Sequence, residues 1–247
     1  MYGMIVCDID GSGQDDVPFG NTAEIIETRT VTRIHPIHFG VNYHKKPLEF
    51  EIVFGAKYHL DRYELQNIAY WLTGYQDYQW LTIEQPDLSN VQFRCLITEL
   101  TPISVGWLPY AFRATVQCDC PYAYGYPFEE TYHINGSTQI LFANEGSVRE
   151  YLRPQLTIKP ASGTTKITIV NKSDNDHTVT LDKIPAGGLV IQIDNDLGII
   201  TEDTVNANLY EGFGGDFFRL VPGDNDIVVT GSCEFTISGN MLYNVGA

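Results

Sequence analysis

A single amphipathic helix most constrains what this chain can fold into, because the rest of the sequence is a series of predicted strands and turns. The helix lies within Tyr58–Gly74, and its apolar residues recur at helical spacing: Leu65, Ile68, Ala69 and Leu72. Such spacing gives one apolar stripe, which we expect to pack on a sheet. Asp61 and Glu64 match the capping-box pattern that marks a helix start, and we expect Gly74 to end the helix in the left-handed conformation. The prediction is one helix at about residues 62–72.

The opposite side of this helix is aromatic. At about 100° per residue, Tyr63 and Tyr70 fall opposite the apolar stripe, and Trp71 falls between the two faces. Two interpretations remain open. A loop of the same domain covers these rings, or the helix lies between its own sheet and a neighbouring subunit. Tyr63, Tyr70 and Trp71 are therefore candidate subunit-interface residues.

Alternating apolar and polar residues predict a β-rich N-terminal domain around this helix. Leu48–Phe54, Val91–Leu100 and Ala111–Cys120 each place apolar side chains on one face and polar side chains on the other. The segment Pro121–Phe128 carries two prolines and a glycine among aromatic residues, which is typical of a boundary. We predict domains at residues 1–125 and 126–247.

The second half predicts a β-sandwich of short strands. Asn135-Gly136, between alternating segments in Thr131–Phe142, is the sequence signal of a hairpin with a type I′ turn. Further strands are predicted near residues 155–159, 166–170, 178–181, 189–193, 199–201, 217–220, 227–230 and 233–238. Regular short strands separated by turns favour a sandwich, so the predicted fold class is mainly β.

The charge of the chain excludes several classes of partner. A formal net charge of -16 argues against a surface that grips nucleic-acid phosphates or anionic lipid, since both need excess lysine and arginine. The N-terminus lacks the pattern of a signal peptide and no segment resembles a membrane span, so we expect synthesis in a cytoplasm and no membrane insertion. The 5 cysteines are expected to be reduced.

The sequence gives only weak signals of a metal site. Asp8 and Asp10 resemble the opening of a calcium loop, but the distal glutamate is missing. His35 and His38 fall on opposite faces of a strand-like segment. Three cysteines fall in the apolar series of their strands, so they are predicted to be core residues rather than metal ligands: Cys95, Cys118 and Cys120. No metal or cofactor is predicted.

A catalytic site is not indicated either, because no phosphate loop, nucleophile elbow or dinucleotide fingerprint occurs. Acidic pairs are common, yet a glycosidase needs two carboxylates that face each other, and no spacing requires that. Saccharide binding is a stronger alternative. Tyr210, Phe213 and Phe217 cluster in a glycine-rich stretch and form a candidate saccharide or partner contact. The competing interpretation is that Phe217 and Phe218 begin a core strand while Tyr210 and Phe213 anchor the loop.

The order of these elements resembles the distal tail protein (Dit) family of siphophages and related tail-like particles. The resemblance covers nearly the whole chain and rests on ordinary residues in a particular order. In the first half it rests on residues 47–54, 60–74, 79–87, 91–100 and 111–125. In the second half it rests on residues 143–163, 189–201 and 218–229. The acidic loop at residues 7–22 has no counterpart in this comparison.

The resemblance implies a structural protein of the virion tail tip. It implies a homo-hexameric ring whose N-terminal domains bound a channel, with galectin-like C-terminal sandwiches that point outward and hold receptor-binding proteins. The implied partners are the tail tube protein and the tail-associated tip protein, and DNA passes through the ring without sequence-specific binding. A carbohydrate-binding module that attaches to a host saccharide is the rival function.

Overall fold

The protein is described from a computed structural model, which covers residues 5–10, 23–28, 35–43, 46–86, 88–185, 188–203 and 209–245. The fold is mainly β, with one α-helix among these residues. This confirms the predicted fold class. The chain divides into two compact units, residues 1–123 with 244–247 and residues 124–243. We call them the N-terminal and C-terminal units and describe each by itself.

The N-terminal unit is built from one antiparallel sheet, a two-stranded ribbon and a helix. Its elements are β1 (Ile5–Asp10), β2 (Ala23–Thr28), β3 (Ile37–Tyr43), β4 (Glu49–Gly55), α1 (Arg62–Thr73), β5 (Gln79–Leu81), β6 (Val91–Val105) and β7 (Leu108–Cys118). The sheet has the order β1-β4-β7-β6, and β5 pairs with β6. The strands β2 and β3 pair with each other. The helix prediction is confirmed within one residue.

The apolar face of this sheet is set by its register. Ile52 of β4 pairs with Ala114 of β7, and Phe54 pairs with Phe112, so successive apolar residues stack in cross-strand rows. Ile52, Phe112 and Ala114 are buried. The helix α1 contributes Ile68, which is fully buried and clusters with Leu60 and Phe112. The predicted apolar stripe therefore packs on the sheet as expected.

The C-terminal unit contains only strands and two short 3-10 helices among its described residues. The strands are β8 (Ala123–Asn144), β9 (Gln155–Pro160), β10 (Ile167–Asn171), β11 (His177–Leu181), β12 (Ile191–Asp194), β13 (Ile199–Glu202), β14 (Phe213–Gly215) and β15 (Gly223–Tyr243). The 3-10 helices are Lys172–Asp174 and Leu209–Glu211.

The long strand β15 holds two groups of strands over a shared core. Its residues 227–230 pair with β10, which continues to β11 and β14, and its residues 233–238 pair with β9, which continues to β12 and β13. Gly231 separates the two stretches with a φ of 135°, a conformation that favours glycine. Buried residues of both groups, such as Ile169 and Ile158, lie in one hydrophobic cluster. The predicted sandwich is confirmed, but the two strands predicted at residues 227–230 and 233–238 are one strand.

The hairpin predicted at Asn135-Gly136 is wrong, because residues 123–144 form the continuous strand β8. β8 runs beside β15, and hydrogen bonds join Thr131 to Thr236 and Ser137 to Thr230. Gly136 takes a positive φ of 85° without reversing the chain. The partner strand lies about a hundred residues away in sequence, so a local turn signal could not reveal it.

The strand predicted at residues 217–220 is also absent. Residues 217–219 are irregular, and Leu220 makes a single bridge to Leu152. The strand in this region is β14, which precedes them and pairs with β11. Alternation alone cannot distinguish a strand from an irregular segment whose side chains alternate in burial.

Candidate interaction surfaces

The start of α1 is fixed by a complete capping box. Asp61 Oδ1 accepts hydrogen bonds from the backbone N–H groups of Tyr63 and Glu64, both at 2.8 Å. The Asp61 N–H in turn donates to Glu64 Oε2 at 2.9 Å. These bonds satisfy amide groups that a helix start leaves unpaired. The first turn, and with it the position of Tyr63, is therefore set by local sequence.

The end of α1 differs from the prediction. Gly74 has φ -80° and ψ -1°, so it is right-handed, and the expected left-handed cap is wrong. A Cβ at this position would lie 2.3 Å from the carbonyl oxygen of Tyr70. Glycine fits here because the backbone passes close to the last turn, and not because φ is positive.

The outer side of α1 exposes the three aromatic residues singled out from the sequence. Tyr63 is 75% exposed, Tyr70 81% and Trp71 52%. No loop of the described chain covers them, so these rings take no part in the described core of the N-terminal unit. We call Tyr63, Tyr70 and Trp71 the α1 aromatic surface.

The chain on either side of α1 exposes further rings that the sequence analysis did not single out. Those residues are Tyr58, Tyr75, Tyr78 and Trp80. Their signal in the sequence was density alone, since aromatic residues recur every few positions from Tyr58 to Trp80. Because these exposed rings lie in the segments next to α1, they add to its candidate interaction surface.

The glycine-rich stretch packs against its own unit. The rings of Phe213 and Phe217 lie 4.9 Å apart between centroids, and both pack on the C-terminal core. Phe218 is fully buried. A Cβ at Gly212 would lie 1.8 Å from the carbonyl oxygen of Asp182, so the loop approaches the neighbouring backbone too closely for any side chain there.

Tyr210 has a structural bond as well as an exposed ring. Its hydroxyl accepts a hydrogen bond from the Ile200 N–H at 2.9 Å, while 54% of the residue stays exposed. The structure thus brings Phe213 and Phe217 together and ties Tyr210 to β13. Tyr210 is the exposed residue of the three, and Phe213 and Phe217 are half-buried.

The face of the N-terminal sheet away from α1 is polar and acidic. Glu51 and Glu99 both pair with Thr115, one from each side, and so they flank it in a single cross-strand row. Glu49 lies two residues along β4 and is exposed. Arg113 Nε lies 3.5 Å from Glu51 Oε2. We call Glu49, Glu51 and Glu99 the acidic sheet face.

The cysteines behave as core residues in the described part of the chain. Cys95 and Cys118 are cross-strand partners and are buried. Burial, with a smaller contribution from Asp119, raises the pKa of Cys95 to about 11. Burial, with smaller contributions from the neighbouring thiols and Asp119, raises the pKa of Cys118 to about 12. Cys120 is half-buried and its Sγ donates to the Tyr122 carbonyl at 3.2 Å. The thiols of Cys95 and Cys118 therefore stay protonated at neutral pH, and a protonated thiol is a poor metal ligand.

The other possible ligands do not gather into a site. His35 and His38 are both exposed. Asp8 and Asp10 lie on β1, and the rest of the acidic loop, residues 11–22, falls outside the described residues. Among the residues that are described, no three histidine, cysteine or acidic side chains come close enough to hold a metal ion. No described helix is long and apolar enough to cross a membrane.

Comparison with protein families places both halves of the chain among phage tail proteins. Residues 1–120 match the model of a phage tail protein N-terminal domain, and residues 122–239 match that of a phage tail C-terminal domain. Together the two matches cover nearly the whole sequence. No curated protein matches the chain.

Solved structures share the fold at low sequence identity. The Dit protein of phage SPP1, described as a paradigm of the hub adsorption apparatus in phages that infect Gram-positive bacteria, is 12% identical, with a TM-score of 0.63 over 96% of this chain and 93% of that one. A chain of the phage p2 baseplate in its activated conformation with Sr is 10% identical, with a TM-score of 0.49 over 89% of this chain and 87% of that chain. The first of these likenesses shows that the two chains share a fold.

Proposed function

We propose that this chain, which belongs to a family of phage tail proteins and shares the fold of a Dit protein, forms a hexameric ring that joins the tail tube to the adsorption apparatus. The observation that carries the proposal is the continuity of the match. Tail-protein family models account for both halves, and one Dit fold spans 96% of the chain. A structural role in a phage tail follows from the family, whereas the ring and its partners are our inference.

The ring contacts are assigned to the N-terminal domain, residues 1–125, through the α1 aromatic surface. Tyr70 and Tyr63 are largely exposed in the single chain. Tyrosine and tryptophan are the residues that most often dominate the binding energy of protein interfaces. A chain with a formal charge of -16 also needs an uncharged contact to assemble with copies of itself. The helix supplies one from Leu65 onward, around Tyr70 and Trp71, because residues 65–76 carry no charge.

The acidic sheet face is assigned to the channel. α1 covers the apolar face of the sheet, which leaves the face with Glu49, Glu51 and Glu99 for the lumen. Negative side chains repel the DNA phosphates, so DNA can pass without binding. A Glu51→Lys, Glu99→Lys variant that ejects DNA as fast as the native tail would contradict this assignment.

The C-terminal domain, residues 126–247, is assigned to the outside of the ring, where it holds a receptor-binding protein. The remaining partners are the tail tube protein on one side and the tail-associated tip protein on the other. The proposal is supported by the shared fold of SPP1 Dit, a paradigm of the hub adsorption apparatus in phages that infect Gram-positive bacteria. The role is structural, with no reaction assigned to it.

Negative-stain microscopy of the purified full-length chain tests the ring directly. We expect closed rings whose class averages show sixfold symmetry, together with a mass by light scattering of six chains. A monomer at every concentration, with polysaccharide binding through Tyr210 and Phe213, would instead support the carbohydrate-binding alternative and overturn the proposal.

A further inference from the structure

The β6–β7 hairpin ends in an exposed apolar tip. Val105 pairs with Leu108, and Gly106 and Trp107 form the turn between them. Trp107 is 98% exposed, Val105 67% and Leu108 44%. Trp107 therefore makes almost no contact with its own chain.

The conformation of the turn makes tryptophan an unexpected residue there. Gly106 has a φ of 59° and Trp107 a φ of 70°, which is the pattern of a type I′ turn. Glycine and asparagine are preferred at these positions, and a bulky residue at positive φ is uncommon. Neither backbone preference nor solubility explains a tryptophan side chain at this position. A contact with another molecule does, because tryptophan is among the strongest anchors in interfaces.

The charge pattern indicates which molecule that is. No charged residue occurs from Thr101 to Phe112, around the tip, or from Leu65 to Gln76, along α1. Within residues 1–123 these segments fall in the two longest stretches without Asp, Glu, Lys or Arg, in a chain whose formal net charge is -16. Two copies therefore approach each other with least repulsion where these two uncharged surfaces meet.

The symmetry of a closed ring also requires two complementary surfaces on each copy. In a closed ring each subunit contacts the next through two different surfaces, which must complement each other. Tyr70 and Trp71 of the α1 aromatic surface lie on one exposed uncharged segment of the N-terminal unit, and the hairpin tip is another. Aromatic rings pair well in offset or edge-to-face arrangements.

We infer that Trp107 of one copy packs against the α1 aromatic surface of a second copy. The inference rests on the proposed hexameric ring and adds the side chain through which each copy contacts its neighbour. Trp107 lies in a short two-residue turn between paired strands. Because this turn is already ordered, little conformational freedom is lost when Trp107 binds.

Photo-cross-linking of the full-length chain tests this contact. Benzoylphenylalanine replaces Trp107, and the protein is mixed with an isotope-labelled copy so that links between chains are distinguished from links within one. We expect covalent dimers whose cross-linked peptides lie within residues 63–80 of the second chain. Links that map elsewhere in the second chain, or only within one chain, would overturn the inference.

A matched pair of substitutions gives a second readout. Trp107→Asn removes the aromatic ring. Because asparagine tolerates a positive φ, the fold is expected to persist. We expect the apparent Kd of assembly to rise about tenfold or more. Leu141→Asn, at an exposed position of β8, serves as the control and should leave assembly unchanged. Equal assembly of Trp107→Asn and the native chain would overturn the inference.

The two proposals fail in different ways. Native rings with no cross-link from position 107 into residues 63–80 would remove the hairpin contact and leave the ring intact. A native chain that forms no oligomer would contradict the proposed function, and the hairpin contact with it.

Discussion

Two sets of aromatic residues in this chain differ in their exposure to solvent. Tyr63, Tyr70 and Trp71 stand out from α1 and are at least half exposed. Phe213 and Phe217, in the glycine-rich stretch, pack on each other and on their own core. Both sets stood out equally in the sequence. The difference shows that aromatic density in the sequence does not reveal whether a ring will be buried or exposed.

The difference has a local cause. A helix on a sheet can bury only the side that faces the sheet, so rings on the other side stay exposed unless a loop covers them. The glycine-rich loop approaches β11 so closely that its rings turn onto the core. We therefore expect substitutions in the two sets to affect different properties, assembly for α1 and stability for the loop.

The largest effect is expected for Phe218→Ala. Phe218 is fully buried beside the loop, and removal of a buried phenylalanine ring costs about 3–5 kcal/mol of unfolding free energy. Urea unfolding measures the loss. Tyr70→Ala is the control and should change the unfolding free energy by less than about 0.5 kcal/mol. Similar losses of unfolding free energy in Phe218→Ala and Tyr70→Ala would contradict the proposed difference between the loop and α1.

Tyr70→Asp is expected to weaken assembly more than the fold. A charge placed in an interface costs about 2 kcal/mol or more of binding free energy at a strong contact, while an exposed position tolerates it in the single chain. Sedimentation velocity reports the assembly and urea unfolding the stability. Leu141→Asp adds the same charge at another exposed position, and it should leave assembly intact if the α1 surface is specific.

Phe217→Ala separates a packing role from a saccharide-binding role. Because the ring is only half-buried, we expect a loss of about 1–2 kcal/mol in the unfolding free energy of the C-terminal unit. Glycan-array binding should be the same in variant and native protein. A variant of unchanged stability that loses saccharide binding would instead mean that the loop is a binding site.

Asp61→Ala should give the smallest effect. Loss of the cap typically costs about 1 kcal/mol, and here it would loosen the turn that positions Tyr63. Hydrogen exchange at the amides of Tyr63 and Glu64 should speed up, since both donate to Asp61. Asp61→Asn, which retains a capping oxygen, should keep most of the protection.

Local signals predicted local structure well in this chain. The capping box, the stripe around Ile68 and the alternation of β4 and β7 each depend on neighbours in sequence, and each is present in the structure.

Long-range pairing decided the features that sequence could not reveal. Asn135-Gly136 has the chemistry of a turn but lies in β8, whose pairing with β15 keeps it straight. Gly74 matched a left-handed cap, yet close backbone approach explains it. Trp107 gave no sequence signal at all, because the turn at Gly106-Trp107 does not have a favoured turn residue at its second position.

Hydroxyl-radical footprinting of assembled and dilute protein tests the central claim most directly, because it reads the solvent exposure of individual aromatic side chains. We expect Tyr63, Tyr70 and Trp71 to become protected on assembly, while Tyr210 reacts at the same rate in both states. Unchanged oxidation of the α1 aromatic surface in the assembled protein, or protection at Tyr210 instead, would contradict the assignment of α1 to the contact between copies.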